Sequence, residues 1–366
     1  MNEPKVSIIM SSYNTPKNYL ESSIKSILNQ DYENFEFIII DDSSTINKVK
    51  DVINKFENDK IILIENEKNE GLAVSLNKGL EVSKGKYIIR MDSDDIAMSN
   101  RVSRQVKYME EHNECDIMSG RTCLFDDNGS FSLGSSFYAD SKTTISELFF
   151  DSVLLHPSVI IRRSFLEENN LQYNSNCRRA QDYDLWIRSS KKGANIQSVK
   201  DYYLFYRQHE GAASTTARKS QLEVVHRIHT ELITELGINV TDEILHLHEE
   251  YCNPQETDYY NYSEISKWVL LLLKSNKRKK IYPQKEFMYV TIKRYLSGIL
   301  IFTKNNKVSL FNIIKSNILF WIKPKIILTS IKVFVLKIKQ NNSANYHYKK
   351  YIKSIWEDEG IKCNLK

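Results

Sequence analysis

Glycine is sparse in this 366-residue chain, with 11 in all, and none falls into G-x-G-x-x-G or G-x-x-x-x-G-K-[ST]. No glycine loop is available to cradle phosphates, which sets aside a dinucleotide oxidoreductase. Cysteine is scarce as well: Cys115, Cys123, Cys177, Cys252 and Cys363 lie scattered, without C-x-x-C or metal-ligand spacing. An odd, unpatterned set of this kind argues for reduced thiols in a cytosolic compartment rather than a disulfide framework. The amino terminus, MNEPKVSIIM, lacks a basic n-region and an apolar h-region, so no signal peptide is expected. No apolar run approaches the length of about 18 residues that crosses a bilayer; the longest, Trp268–Leu273, is WVLLLL. Acid is nearly missing from the rear. Between Lys274 and Lys353, 19 Lys or Arg face the single acid Glu286, a net +18, while the whole chain carries only +5. The remainder is therefore acidic, and the asymmetry suggests two jobs in one chain. A hydrophobic content of 41% is enough for a real core, and the length allows one large domain or two ordinary ones.

The first third alternates strand and helix signals. Lys5–Met10 (KVSIIM) reads as a strand ending in SSYN, after which Thr15 offers an N-cap with Pro16 at the first helical position. Leu20, Ile24, Ile27 and Leu28 then repeat at helical spacing. Phe35–Ile40 (FEFIII) is a second strand that ends in Asp41–Asp42, and a helix carrying Ile46, Val49, Ile53 and Phe56 follows. Ile61–Ile64 is a third strand. Leu72, Leu76 and Leu80 mark the next helix, with Gly85 placed to end it. Tyr87–Met91 is the fourth strand, and Val102, Val106 and Met109 mark the helix beyond. Such alternation predicts a mainly parallel sheet with helices on both faces. Ligands of such sheets bind at the carboxyl ends of the strands. From about residue 112 to 210 the pattern loosens into mixed strands and loops. Residues 216–250 read as helical, and amphipathic segments rich in Ile, Leu, Phe and Lys follow from about 264.

The stretch YIIRMDSDD, residues 87–95, places Asp92, Asp94 and Asp95 at the tip of a strand that reads as buried. Three acids so close repel one another unless a cation neutralises them, and D-x-D spacing suits a hard divalent ion, Mg2+ or Mn2+. A metal so held would replace the absent glycine loop in binding phosphate oxygens. The bland alternative is acid favouring a helix N-terminus, and for an isolated D-x-D it is the better reading. Here a second acidic strand end, Asp41–Asp42, accompanies the first, and the two could converge on one crevice.

The ordered run SIIMSSYN, SILNQDYENFEFIIIDDSST and NEGLAVSLNKGLEVSKGKYIIRMDSDD resembles the amino-terminal half of the inverting nucleotide-sugar glycosyltransferases of family two, of the bacterial polysaccharide or O-antigen type. The match spans roughly Lys5 to Asp95 and resumes at HPSVIIRRSF (156–165) and QDYDLWIR (181–188). The resemblance implies an α/β protein of the GT-A fold: a Rossmann-like, mixed but mainly parallel sheet flanked by helices, followed by a helical, basic C-terminal subdomain. By the same resemblance Ser11, Ser12 and Tyr13 line a nucleoside pocket, and Asp41 accepts a hydrogen bond from uracil. Asn69, Gly71 and Asn77 belong to that pocket, Gly71 and Asn77 with a structural alternative. Asp92 and Ser93 lie on the ribose side, Asp92 also facing the metal that Asp94 ligates, and His209 in YRQHEGAAS stands near that metal and the diphosphate.

Displacing a diphosphate from an anomeric carbon needs the acceptor hydroxyl deprotonated on the opposite face, and a carboxylate is the natural base. The family's usual Glu-Asp pair assigns that part to Asp182; here Gln181 replaces the Glu and removes a neighbouring charge. Asp184 and Trp186 are candidate acceptor contacts, Asp184 with a helix-start alternative. His156 reads as structural, and Arg178, Arg179 and Arg207 as surface arginines that could also reach diphosphate.

Tyr295–Lys339 interleaves LSGILIF, LFNIIKSNILFWI and IILTSIKVFVLKI with lysines and carries no acid. A basic amphipathic segment with Trp and Phe suits an anionic membrane surface, each Lys near it contributing about 1 kcal/mol. A solvated helical subdomain is the plainer alternative, and no nucleic-acid motif supports that partner. The expected organisation is a catalytic domain over 1–215, a helical connection over 216–263, and a basic membrane-associating region over 264–366. The expected reaction is metal-dependent, inverting transfer of a hexose from a UDP-sugar to a saccharide hydroxyl. The acceptor is expected to be lipid-diphosphate-linked, at the cytoplasmic face of a bacterial inner membrane. Two alternatives remain: a sugar nucleotidyltransferase, whose Gly-rich basic loop SSYNTPKNY does not resemble, and a non-catalytic sugar-binding protein on the same fold.

Overall fold

A computed structural model describes residues 5–134, 137–209, 218–254 and 261–306. Most of the basic rear, residues 307–366, lies outside the described residues. The chain forms two compact units. The first comprises Met1–Thr144 and Ser152–Val224; the second takes in Ile145–Asp151 and, among the described residues, those that follow Val224.

Elements of the first third follow in the order β1 (Val6–Ser12), α1 (Lys17–Leu28), β2 (Phe35–Asp41), α2 (Val49–Ile53), β3 (Ile61–Glu65), α3 (Leu72–Val82) and β4 (Tyr87–Asp92). The short β5 (Ile96–Ala97) and α4 (Arg101–Glu111) come next. The middle of the chain supplies β6 (Ile117–Asp126), β7 (Phe131–Leu133), α5 (Ser141–Glu147), β8 (Ile160–Arg162), α6 (Arg163–Glu168), α7 (Gln181–Lys191) and β9 (Ile196–Gln208). The nine strands make one sheet in the order β3-β2-β1-β4-β8-β6-β9-β5, with β7 on β6. β1, β2, β3 and β4 are parallel, whereas β8 runs antiparallel to both β4 and β6. The four parallel strands read as continuous apolar runs because both faces are covered. Ile8, Phe37, Ile39 and Ile89 pack with Leu20, Ile24 and Ile27 of α1, all at 0% exposure, and each such side chain contributes roughly 1.5–3 kcal/mol.

Local details depart from the sequence reading for identifiable reasons. Helix α1 starts without a side-chain cap, because the Thr15 hydroxyl is taken up by Ser93 Oγ at 2.7 Å and by Ser12 Oγ, which donates to it at 3.1 Å. Helix α2 shrinks to five residues and leaves Ile46 77% exposed. Gly85 does not cap α3, which ends at Ser83. Its requirement is proximity: a Cβ there would lie 2.4 Å from the Ser7 nitrogen. That close approach lets Gly85 N–H donate to Ser7 Oγ (2.8 Å), while Ser7 donates to the buried Glu36 carboxylate (2.5 Å).

The second unit is helical: α8 (Arg218–Glu235), which begins in the first unit, then α9 (Asp242–Cys252), α10 (Tyr262–Lys279) and α11 (Gln284–Asn306). Thr241 caps α9 by accepting the Ile244 N–H at 3.3 Å, and Asn261 caps α10 by accepting that of Glu264 at 3.2 Å. Its centre is aromatic, with Phe149 edge-on to His248, Tyr282 and Phe287. Glu147, 3% exposed, is held there by Lys293 at 3.0 Å and Arg294 at 2.7 Å. Among the described residues no helix is long and apolar enough to cross a membrane.

Candidate active site

The strand order reverses at β1, since β2 and β3 lie to one side and β4 to the other. At such a switch point the loops after neighbouring strands part and leave a crevice at their carboxyl ends. Register sets the sequence candidates along it: Ser12 is the partner of Asp41, and Ser11 of Asp92. Tyr13 follows, half exposed. Asn14, at φ 52, stitches two loops together by accepting the N–H groups of Thr45 (2.8 Å) and Ile46 (3.0 Å). Asp41 accepts Ser44 N–H at 2.8 Å and Val49 N–H at 3.3 Å, so it shapes the loop at the carboxyl end of β2. Asp42 accepts Asn66 Nδ2 and the Glu70 and Gly71 N–H groups at 2.8, 2.8 and 2.9 Å. This ties the loop bearing the exposed Asn69 to the end of β2. Gly71 sits at φ +90, a conformation glycine adopts at no steric cost. Asn77 is structural: both ends of its amide bond the Tyr173 backbone, at 2.8 and 2.9 Å.

Beyond β4 the carboxyl oxygens of Asp92, Asp94 and Asp95 lie within 4.8 Å of one another. Burial first, then the neighbouring Asp charges, push Asp95 well above the usual carboxylate range. Burial also raises Asp92, against the lowering effect of Arg90. Asp95 Oδ2 is buried without a hydrogen-bond partner. On the open side, His209 Nε2 stands 2.9 Å from Asp94 Oδ2. Adjacent ligands on an octahedral ion with bonds of about 2.1 Å are about 3.0 Å apart. The crowded acids, the orphaned oxygen and the carboxylate–imidazole spacing together fit a divalent cation.

Asp182 enters from a distant stretch. It occupies the first turn of α7, preceded by Ala180 in the left-handed region at φ 50. Burial raises its pKa; the Tyr183 N–H and the Arg90 charge oppose that rise. Ser152 Oγ approaches Asp182 Oδ2 at 3.5 Å. Arg90 is the residue that sequence reasoning missed. It is 4% exposed, is paired with Asp92 through Nη2, and has Nε and Nη1 without partners. Its charge is felt at Asp92, Asp182, Tyr173 and His156 alike. The available signal was a lone cation inside an otherwise apolar strand, on the same face as Asp92 by the period of two.

Other candidates fall elsewhere. Trp186 is fully buried and meets His156 edge-on at 6.0 Å, which leaves no exposed face to stack on a saccharide. Asp184 is buried too and accepts Arg188 Nε at 2.7 Å, so its carboxylate serves α7 rather than an acceptor. His156 Nε2 pairs with the Tyr173 hydroxyl at 2.8 Å. Arg178 is exposed, whereas Arg207 is 8% exposed and bound to the Asp94–Asp95 loop. In the second unit, His229, His248 and Cys252 cluster within 4.8 Å. There Trp268 Nε1 donates to His248 Nδ1 at 3.3 Å, which places the ring's own proton on Nε2, towards Cys252. The cluster therefore reads as a hydrogen-bonded aromatic core.

Comparison with known proteins bears on this geometry. The family model described as Glycosyl transferase family 2 matches residues 7–171. An uncharacterized glycosyltransferase of Methanocaldococcus jannaschii is 34% identical over 57% of this chain and 72% of its own length. The UDP-Glc:alpha-D-GlcNAc-diphosphoundecaprenol beta-1,3-glucosyltransferase WfaP of Escherichia coli is 28% identical over 66% of this chain and 90% of its own. Among solved structures, S. aureus TarS 1-349 in complex with UDP-GlcNAc superposes with a TM-score of 0.55 at 17% identity, over 84% of this chain and 93% of that one.

Proposed function

Because the chain belongs to glycosyltransferase family 2 and has its GT-A fold, we propose that it is an inverting hexosyltransferase that uses a UDP-sugar and a lipid-diphosphate-linked saccharide. The observation that carries this reading is that two separate acidic stretches, Asp92–Asp95 and Asp182, both face the charge of the buried Arg90, which is paired with Asp92. A site of that kind can hold a diphosphate at one end and deprotonate an alcohol at the other.

In this mechanism the uridine rests between Tyr13 and Asp41. Asp94, Asp92 and His209 would hold a divalent cation, Mn2+ or Mg2+, which would supply charge to offset the diphosphate of the leaving group. Asp182 takes the proton of the acceptor hydroxyl while that oxygen bonds to the anomeric carbon, on the face opposite UDP. The bond from that carbon to the diphosphate oxygen breaks, and UDP departs with the electron pair. An α-linked donor gives a β-linked product. Burial raises the Asp182 carboxyl, and the Tyr183 N–H and the Arg90 charge oppose that rise, favouring the ionised form that acts as a base.

The name of WfaP, with its UDP-glucose donor and undecaprenol-linked acceptor, supports the substrate classes, and the UDP-GlcNAc complex of TarS supports a UDP-sugar donor. The basic rear would hold the protein on anionic lipid at the cytoplasmic face of the bacterial inner membrane, bringing the catalytic domain (1–215) to its acceptor. A panel of UDP-hexoses, read as UDP release with and without Mn2+ and with an undecaprenol-diphosphate-linked GlcNAc acceptor, tests the reading. Acceptor-stimulated release that disappears in Asp182→Asn supports it; equal release by that variant overturns it. Binding of the full chain to vesicles with and without anionic lipid tests the placement.

A further inference from the structure

The loop that carries Asp94 is fastened from behind by a chain of contacts that the reaction itself does not use. Arg207, near the end of β9, donates its backbone N–H to Asp95 Oδ1 at 2.9 Å and its Nε to the Asp94 carbonyl at 2.9 Å. Both bonds hold the loop without engaging the Asp94 carboxylate, which faces His209 Nε2. Nη1 of Arg207 donates to Asp127 Oδ1 at 2.7 Å. The other oxygen of Asp127 accepts the Tyr19 hydroxyl. Tyr19 closes the circuit: the Arg207 guanidinium lies 4.1 Å from its ring centroid, and the His209 ring centroid lies 5.5 Å away. Phe125 covers the guanidinium at 4.4 Å.

These residues come from α1, the end of β6 with the turn that follows it, the end of β9 with the residue just beyond it, and the segment after β4. Arg207 and His209 lie two residues apart, which on an extended strand points both side chains to one face, and both reach the same loop. Asp127 is 52% exposed on its side chain yet is fixed at both oxygens. A planar guanidinium gripped on two edges and covered by rings is a rigid spacer, a part lysine could not fill.

We propose that Arg207 is a positioning residue for the divalent-cation site: buttressed by Asp127 and Tyr19, it sets the spacing of Asp94 and His209 at which both can grip one ion. The inference rests on the metal reading of that site. It assigns no contact between Arg207 and the donor.

The test uses the full chain and four variants, Asp94→Ala, Arg207→Lys, Asp127→Asn and Tyr19→Phe. Mn2+ affinity is read from the electron paramagnetic resonance of free Mn2+ in the presence of UDP, and UDP affinity is read separately without metal. Arg207→Lys, Asp127→Asn and Tyr19→Phe should each weaken Mn2+ binding about tenfold, the scale of groups that orient ligands, with metal-free UDP affinity unchanged. Asp127→Asn combined with Tyr19→Phe should cost no more than either alone, since the two act through one side chain. Asp127 is exposed, so its variant keeps the test informative even if Arg207→Lys fails to fold. If Asp94→Ala abolishes Mn2+ binding while Asp127→Asn and Tyr19→Phe leave it intact, the positioning role falls and the metal site stands. If Arg207→Lys weakens metal-free UDP binding and Asp127→Asn does not, Arg207 is a phosphate contact and the inference is overturned. Should Asp94→Ala itself bind Mn2+ normally, metal reading and inference fall together.

Discussion

His209 Nε2 and Asp94 Oδ2 lie 2.9 Å apart although 115 positions separate them in the chain. The strand β9 delivers the histidine and the loop after β4 delivers the carboxylate, and neither alone makes a site. His209→Ala should weaken Mn2+-dependent UDP binding about tenfold and Asp94→Ala by more, because a carboxylate supplies charge as well as a lone pair. Titration calorimetry of UDP with and without Mn2+ separates the two effects. Equal affinities for wild type and both variants would remove these residues from the cation site.

Asp182→Asn keeps the shape of the side chain and removes its basicity. Transfer should fall by roughly 10²- to 10⁴-fold, the usual contribution of a positioned base. UDP affinity should be unchanged if, as proposed, Asp182 serves the acceptor and not the nucleotide. Single-turnover transfer and nucleotide titration on the same preparation check both halves of the expectation.

The pH profile follows from the same group. Burial lifts Asp182 above the ordinary carboxylate value despite the opposing Arg90 charge and Tyr183 N–H. A base works when deprotonated, so activity is retained above the raised pKa and lost as pH falls through it. The acid limb of kcat/KM should therefore lie above the ordinary value of about 3.9. Arg90→Met removes an opposing charge and should move that limb to higher pH; a limb that stays in place would separate Arg90 from Asp182.

Stability of the second unit hinges on Glu147. Burial alone would raise this carboxyl, but Arg294 and Lys293 override burial and hold it below its usual value. A depressed carboxylate stabilises the fold above its unfolded pKa, and the contribution is lost as pH falls through the folded value. Glu147→Gln strands two cations and should cost about 3 kcal/mol at neutral pH, read as a lower urea midpoint, with the deficit shrinking in acid.

Much of the front half was legible because its signals are local. Phe35–Asp41 and Tyr87–Asp92 declare themselves as apolar runs ending in acid, and a parallel sheet then brings those ends together. The middle was not, because β6 and β9 pair across about 80 residues through register shifts near Arg121, and nothing in either stretch names the other. The same blindness hid Arg207: as an isolated arginine it reads as surface, and only the fold shows Asp127 and Tyr19 closing on it. Trp186 misled in the opposite direction, since an aromatic beside a catalytic motif suggests a sugar platform, whereas α7 turns it inward. Thr15 did so more subtly. Its hydroxyl could cap a helix, but the nearness of Ser93, 78 positions away, claimed it instead.

Seven residues, Ile145–Asp151, leave the sheet-bearing unit for the helical one before the chain returns at Ser152. An enzymologist trimming the protein to its catalytic half would thus retain Phe149 and Phe150 while deleting Tyr282 and Phe287, the rings that shield them. Such a fragment would bare two adjacent aromatics and clump. Soluble catalytic preparations should therefore keep the chain through α11.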